Sequence, residues 1–329
     1  MPGSGVVGPV LVAGAGALGS VVGGLLAERG WPVTLLGRVE HLDEVRRRGL
    51  RIEGLFGDHH VRGLACVSDA AALATRFRTV FLTVKSWDTD VMARAVAPFL
   101  ARDGHVVSMQ NGLGNLERIA AVVGDARVLG ARVIFGTEVV TPGRVRVTVE
   151  AAPVLIGSPD PSDDTRAAVA AHWASELAAA GIPSGATGEL IAELWTKVFY
   201  NAALNPVGAL LGVPYGALPA DPDARAIMDD AIREAFAVAR ATRIAVAWPD
   251  AEAYRAVFYD RLVPATAGHR SSMLQDLERG RPTEIDAING YVAARGDVLG
   301  VPTPVNATLT RMIRARVRRP RAPEERWTH

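Results

Sequence analysis

The feature that most constrains this chain is Gly14-Ala15-Gly16-Ala17-Leu18-Gly19, a GxGxxG hexapeptide. It lies between an apolar run over residues 9–13 and a helical pattern over 17–29 that Gly30 closes. In that setting each glycine has a task. The first makes a tight turn, the second lets a ligand approach the backbone, and the third lets the helix lie close to the sheet. The uncapped N–H groups of the helix start then favour an anionic group such as a pyrophosphate. Residues 14–19 are therefore expected to bind a dinucleotide.

The following segments keep the same rhythm. Short β-branched runs at 33–36, 80–84 and 105–109 alternate with helical patterns around 41–49 and 89–100. Strands alternating with helices predict a parallel sheet covered on both faces, the Rossmann-type doubly wound arrangement. Strands are expected over 128–137, 143–149 and 154–156, with a turn at Thr141-Pro142-Gly143, then a helix over 165–180. Beyond residue 185 the patterns are helical, at 187–212, 222–247, 250–261, 284–296 and 303–318. The fold class is thus α/β plus all-α. The expected organisation is a dinucleotide-binding domain at 1–185, a mostly helical domain at 186–318, and a flexible tail at 319–329.

The end of the second strand selects the dinucleotide. An NAD site usually places a carboxylate there for the ribose 2′-hydroxyl, whereas this chain has Leu36-Gly37-Arg38, with Glu40 two residues further on. Arg38 suits a 2′-phosphate, which points to NADP. Lys85 follows the strand 80–84 at the carboxyl edge, where open sheets bind ligands, and is expected to reach the phosphate or ribose; Trp87 flanks the adenosine region or packs. Asn111, in Gln110-Asn111-Gly112-Leu113-Gly114, follows the next strand and faces the nicotinamide or substrate, or else turns its own loop.

Composition narrows the rest. The chain has 36 basic residues, of which only Lys85 and Lys197 are lysines. Where arginine serves for nearly every cation, a retained lysine suggests a place that needs a compact proton donor. Lys197, Asn201 and Asn205 share one side of a helix at i, i+4, i+8, and the chain has six asparagines in all. Asparagine is unfavourable inside helices, so this polar stripe is read as facing a ligand, with Pro206 bending the helix beyond it. Ser271-Ser272 and Thr283-Glu284 form a second group. Thr283 or Ser272 can cap a helix with Glu284 in the first turn, or Glu284 can lie near Lys197 and bind a substrate hydroxyl. Asp276 and Asp286 read as structural.

Taken together, GxGALG, QNGxG, KxxxNxxxN, SSMLQD and GRxTEID resemble the 2-dehydropantoate 2-reductase (ketopantoate reductase) family, in that family's order and from about residue 10 to 315. The resemblance implies reduction of 2-dehydropantoate to (R)-pantoate with NADPH, a step towards pantothenate and coenzyme A. It implies Lys197 as general acid and Glu284 as the second catalytic group. It places Asn111 by the nicotinamide and the reacting centre, Asn201, Asn205 and Ser272 on the substrate hydroxyl and carboxylate, and Arg38 and Lys85 at the NADP phosphate end. Another branched or aromatic 2-oxo acid as substrate, a different NADP-linked dehydrogenase, and an NADP-binding sensor module are the alternatives.

Other classes are disfavoured. Acidic residues number 35, a net charge of +1, which gives no reason to expect a nucleic-acid partner. The single cysteine, Cys66, excludes a disulfide scaffold and reads as a small buried hydrophobe. None of the seven histidines has a recognised metal-ligand spacing, so no metal is expected. The N-terminal apolar runs have no basic residues before them, so neither export nor a membrane anchor is expected, and the cytoplasm is. The family resemblance is compatible with a homodimer.

Overall fold

The computed structural model describes residues 8–319. The expected tail over 319–329 lies outside them apart from Arg319. The chain packs as two compact units, divided between Glu193 and Leu194.

The first unit is built on one sheet, of ten strands among the described residues. In chain order it contains β1 (Val10–Ala13), α1 (Ala17–Glu28), β2 (Val33–Leu36), α2 (Val39–Arg48), β3 (Leu50–Gly54), β4 (His59–Val61), β5 (Ala65–Val67), β6 (Phe77–Leu82), α3 (Thr89–Val96), β7 (Leu100–Ser108), α4 (Asn115–Val123), β8 (Val128–Thr141), β9 (Arg144–Gly157), α5 (Asp164–Ala179) and β10 (Ser184–Thr187). The strand order is β4-β3-β9-β8-β7-β6-β1-β2-β5, with β10 beside β9. Strands β8, β7, β6, β1, β2 and β5 pair in parallel. β8 and β9 form an antiparallel hairpin of 14 residues a side. The expected strands at 143–149 and 154–156 are both part of β9.

Burial explains the order. β1 is fully buried, as a central parallel strand must be when helices cover both faces. α1 carries glycines at 23 and 24, costly by propensity. A Cβ on Gly23 would lie 2.5 Å from Leu35 Cδ2, and one on Gly24 2.7 Å from Ile52 Cδ1, so these glycines let α1 rest close against the sheet. On another helix Trp173 is fully buried against Phe81 and Trp31, and its indole N–H donates to Thr79 Oγ1 at 3.0 Å. Burying such a ring contributes about 3 kcal/mol, and the hydrogen bond removes the cost of hiding its polar atom.

The second unit is helical. α6 (Leu190–Leu211) begins just before the division and runs through Pro206. It is followed by α7 (Pro222–Ala241), α8 (Ala251–Val257), a π-helical turn over Phe258–Leu262, α9 (Val263–Ala265), α10 (Ser272–Glu278), a 3-10 turn over Glu284–Ala287, α11 (Asn289–Leu299) and α12 (Pro304–Arg318). Phe199 stacks on Phe236 at 4.2 Å, with Tyr254 and Phe258 completing a buried aromatic cluster. Asn289 and Asn306, both fully buried, tie the helices together. Asn289 Nδ2 donates to the Ala202 carbonyl and to Asn306 Oδ1, and Asn306 Nδ2 donates to the Ala231 carbonyl and Glu234 Oε2. Among the described residues no helix is long and apolar enough to cross a membrane.

Candidate functional site

On the first unit the predicted residues fall along one edge of the sheet. The glycine loop, Arg38, Lys85 and Asn111 follow β1, β2, β6 and β7, four neighbours in strand order. Gly14 has φ +115°, and a Cβ there would lie 2.5 Å from the Val84 backbone nitrogen. Gly14 and Ala15 donate to the Leu36 carbonyl, and Thr83 donates through its N–H to Ala13 and through its hydroxyl to Gly14. The loop is therefore stitched to strands on both sides. A Cβ on Gly19 would meet the Gly14 carbonyl at 2.4 Å. Gly16 differs: it is exposed, and a Cβ there would find only the Gly14 oxygen, at 3.9 Å. Gly16 caps α1 with no side-chain bond, and the first turn holds no acidic residue. A positive helix end facing open space, with a glycine at its rim, fits a dinucleotide pyrophosphate.

Arg38 is exposed at the N-cap of α2. Before it, Gly37 leaves room for Ala15, whose Cβ would lie 2.8 Å from a Cβ at 37. β6 ends at Leu82, so Lys85 stands three residues past the strand rather than directly at its end. Its ammonium lies 5.9 Å from the centre of the Trp87 ring, which is partly exposed.

A buried polar network that the sequence did not reveal holds these loops. Gln110 Nε2 donates to the Val84 carbonyl at 3.0 Å and to Thr89 Oγ1 at 2.7 Å, and Gln110 Oε1 accepts from Ser108. The Thr89 hydroxyl lies 2.8 Å from the Ser86 carbonyl and 3.0 Å from Asn115 Oδ1. Asn115 Nδ2 donates to the Asn111 carbonyl. The network thus fixes the backbone beside Lys85 and at Asn111. Arg118 adds a bond to the Ser86 carbonyl and a paired contact to Asp90, whose carboxyl it holds below its usual range. The available clue was scarcity: the chain has two glutamines, and Gln110 is one of them.

On the second unit Lys197, Asn201 and Asn205 lie on α6, the lysine half-buried and both asparagines buried. Three anchors bring other segments to this helix. Asn289, five residues after Glu284, donates to the Ala202 carbonyl. The hydroxyls of Tyr200 and Thr266 are hydrogen-bonded. Tyr215 donates its phenolic proton to Asn205 Oδ1 at 2.5 Å. Glu284 is buried at the start of its 3-10 turn, and Asp286 is exposed in an ion pair with Arg314. The expected caps are corrected. Ser271, not Ser272, caps α10 by accepting from the Leu274 N–H, because it is the residue whose extended backbone precedes the first turn. Ser272 is exposed in that first turn. Thr283 makes no capping bond, and its buried hydroxyl has no partner among the described residues.

Residues 10–161 match the family described as "Ketopantoate reductase PanE/ApbA", and residues 189–317 match "Ketopantoate reductase PanE/ApbA C terminal". A protein of Aquifex aeolicus named 2-dehydropantoate 2-reductase is 34% identical over 308 residues, 93% of this chain and 96% of that one. The chain belongs to the ketopantoate reductase family. A crystal structure of a PanE/ApbA family ketopantoate reductase from Ralstonia eutropha superposes with a TM-score of 0.83 at 34% identity, covering 94% of this chain and 98% of that one. The 2-dehydropantoate 2-reductase of Geobacter metallireducens gives 0.85 at 25% identity, covering 93% and 99%. Membership in the ketopantoate reductase family accounts for a doubly wound sheet followed by a helical unit.

Proposed function

We propose that this protein reduces 2-dehydropantoate to (R)-pantoate with NADPH. The observation that carries the reading is α6, where the chain's second lysine stands half-buried in step with two buried asparagines, in a chain so similar to named 2-dehydropantoate 2-reductases. The work divides as the fold does. The first unit holds the cofactor: the Gly16 rim and the α1 end take the pyrophosphate, Arg38 and Lys85 the 2′-phosphate end, and Asn111 the nicotinamide side.

When bound, NADPH supplies the hydride that goes to the ketone carbon. Negative charge then builds on the ketone oxygen, and the Lys197 ammonium stabilises it and donates the proton. Glu284 binds a substrate hydroxyl and supports that charge. Asn201, Asn205 and Ser272 orient the substrate through its hydroxyl and carboxylate. Lysine suits this task better than arginine, which does not release its proton. The reading includes a cytoplasmic enzyme, active as a monomer or a homodimer, whose partner is a small 2-oxo acid.

The test is initial-rate NADPH oxidation with 2-dehydropantoate beside bulkier 2-oxo acids. Fast turnover of 2-dehydropantoate is expected. Preference for another 2-oxo acid would keep the chemistry and replace the substrate. No turnover with any of them, while NADPH still binds, would overturn the reading. Lys197→Ala should lower kcat by about 10²–10⁴-fold with NADPH affinity unchanged, and Lys197→Arg should not restore it.

A further inference from the structure

The bond between Tyr215 and Asn205 carries more than stability. Both residues are buried, at 3% and 4% exposure, and the phenolic oxygen lies 2.5 Å from Asn205 Oδ1. Among the described residues, Asn205 is the one hydrogen-bond partner of that hydroxyl. A buried O–H must place its proton on an acceptor, or the full desolvation cost remains. If the Asn205 amide were flipped, its NH₂ would donate to the phenol and the phenol's own proton would have nowhere to go. The amide oxygen therefore faces Tyr215, and the amide nitrogen is what the residue offers to anything else.

Tyr215 cannot easily turn away. Its N–H donates to the His269 carbonyl at 3.1 Å, and the Gly216 N–H donates to Ala267 at 2.9 Å. A Cβ on Gly216 would lie 2.7 Å from the Ala267 Cβ, so the two backbones touch. The ring packs edge-on against Tyr200 and His269, 5.8 and 5.2 Å between centres. The same contacts hold residues 267–269, which lead into Ser271 and Ser272. Burial also pushes the phenol's ionisation well above its usual range, so it remains a donor at working pH.

We propose that Tyr215 is a positioning residue for the 2-oxo acid: it fixes Asn205 as a hydrogen-bond donor, so that Asn205 reads an oxygen lone pair of the substrate. The inference rests on the reading that Asn205 contacts substrate. A 2-oxo acid presents oxygen lone pairs at its carboxylate, its ketone and any hydroxyl, so a fixed donor accepts it. A carboxylate at position 205 would instead face an anion.

The experiment measures KM and kcat for 2-dehydropantoate, Kd for NADPH and Tm, in Asn205→Ala, Tyr215→Phe, the double variant and Asn205→Asp. Asn205→Ala should raise KM about tenfold, the loss of one hydrogen bond of roughly 1.4 kcal/mol. Tyr215→Phe should raise KM several-fold with kcat and NADPH affinity close to wild type. The double variant should be no worse than Asn205→Ala alone, because both remove one interaction. Asn205→Asp should raise KM well beyond Asn205→Ala. Wild-type KM in Tyr215→Phe, or effects that multiply in the double variant, would overturn the role of Tyr215 while leaving Asn205 on the substrate. Wild-type KM in Asn205→Ala would remove Asn205 from the substrate and so overturn the underlying reading instead. Should Tyr215→Phe fail to fold, Asn205→Asp still decides the polarity: an unchanged KM there would overturn it.

Discussion

At the scale of single residues, the three glycines of the loop are not interchangeable, and the structure separates their tasks. A methyl group on Gly19 would collide with the Gly14 carbonyl at 2.4 Å and Thr83 Oγ1 at 2.6 Å, neither free to move without disturbing the sheet edge. Gly19→Ala should therefore destabilise the protein by about 1–3 kcal/mol and weaken NADPH binding. A methyl group on Gly16 meets nothing closer than 3.9 Å, and the backbone there, at φ −84°, accepts alanine. Gly16→Ala should leave Tm within a degree or so of wild type yet raise the Kd for NADPH more than tenfold, because the added carbon would enter the space proposed for the pyrophosphate. Thermal melts and NADPH titration of both variants test this. Equal Tm losses would mean the second glycine serves packing rather than the ligand. The asparagines make a related point. Asn115, Asn289 and Asn306 are consumed in buried networks, so the scarcity of the residue marks satisfied cores as well as ligand contacts.

At the scale of elements, His41 shows how helices α1 and α2 are joined to the β8–β9 hairpin. The Gly143 N–H donates to His41 Nδ1 at 3.1 Å, so the ring proton resides on Nε2 and goes to Ser20 Oγ at 2.9 Å. Burial lowers the pKa of this imidazole. Below about pH 6.5 the unfolded chain therefore binds more protons at this site than the folded one. Its contribution to stability is complete above that pH and is lost as the pH falls. Protonating Nδ1 would also set it against the Gly143 N–H. Between pH 7.5 and 5.5 the wild-type protein should lose more Tm than His41→Gln, which keeps a polar side chain but does not titrate; equal losses would remove His41 as the titrating group. None of this joinery was legible in the sequence. Elements set by local pattern were: β1, α1 and β2 follow from apolar periodicity and flanking glycines, and β2 and the start of α1 fall where expected. Elements set by distant partners were not. β3 pairs with β9 across some 90 residues, and β4, β5 and β10 are only three or four residues long. The sequence pattern gives two strands, at 143–149 and 154–156, where the structure has one, because bulges in the β8–β9 pairing let β9 continue through Pro153. The candidate site could be read from the sequence where a residue type is chemically demanding, as the reading of Lys197 supposes, and not where a buried side chain holds a neighbouring loop, as Gln110 does.

At the scale of the whole molecule, cofactor choice is a question of where charge resides. With 36 basic and 35 acidic side chains, the chain has no overall field to favour the extra phosphate of NADPH over NADH. Any preference must be local, and long-range steering is weak in any case beyond the screening distance of about 10 Å in 0.1 M salt. Exposed Arg38 at the α2 N-cap and the half-buried Lys85 beyond β6 are the cations that the proposed function assigns to it. A hydrogen bond to a charged group contributes about 1.5–3 kcal/mol, so NADH should bind roughly ten- to a hundredfold more weakly. A ligand that binds only the folded state stabilises it by about 2.7 kcal/mol at a hundred times its Kd. For domains of this size that corresponds to roughly 5–10 °C in Tm. NADPH at such a concentration should produce that shift, and NADH at the same concentration a smaller shift of about 1–6 °C. Arg38→Ala should bring the NADPH shift down towards that of NADH while leaving the NADH shift unchanged, since NADH lacks the 2′-phosphate proposed to pair with Arg38. Raising the salt should narrow the gap between the two cofactors in the wild-type protein and have little effect on it in the variant. Equal shifts for NADPH and NADH in the wild-type protein would mean that the end of β2 does not discriminate, and that Arg38 is an ordinary surface cation.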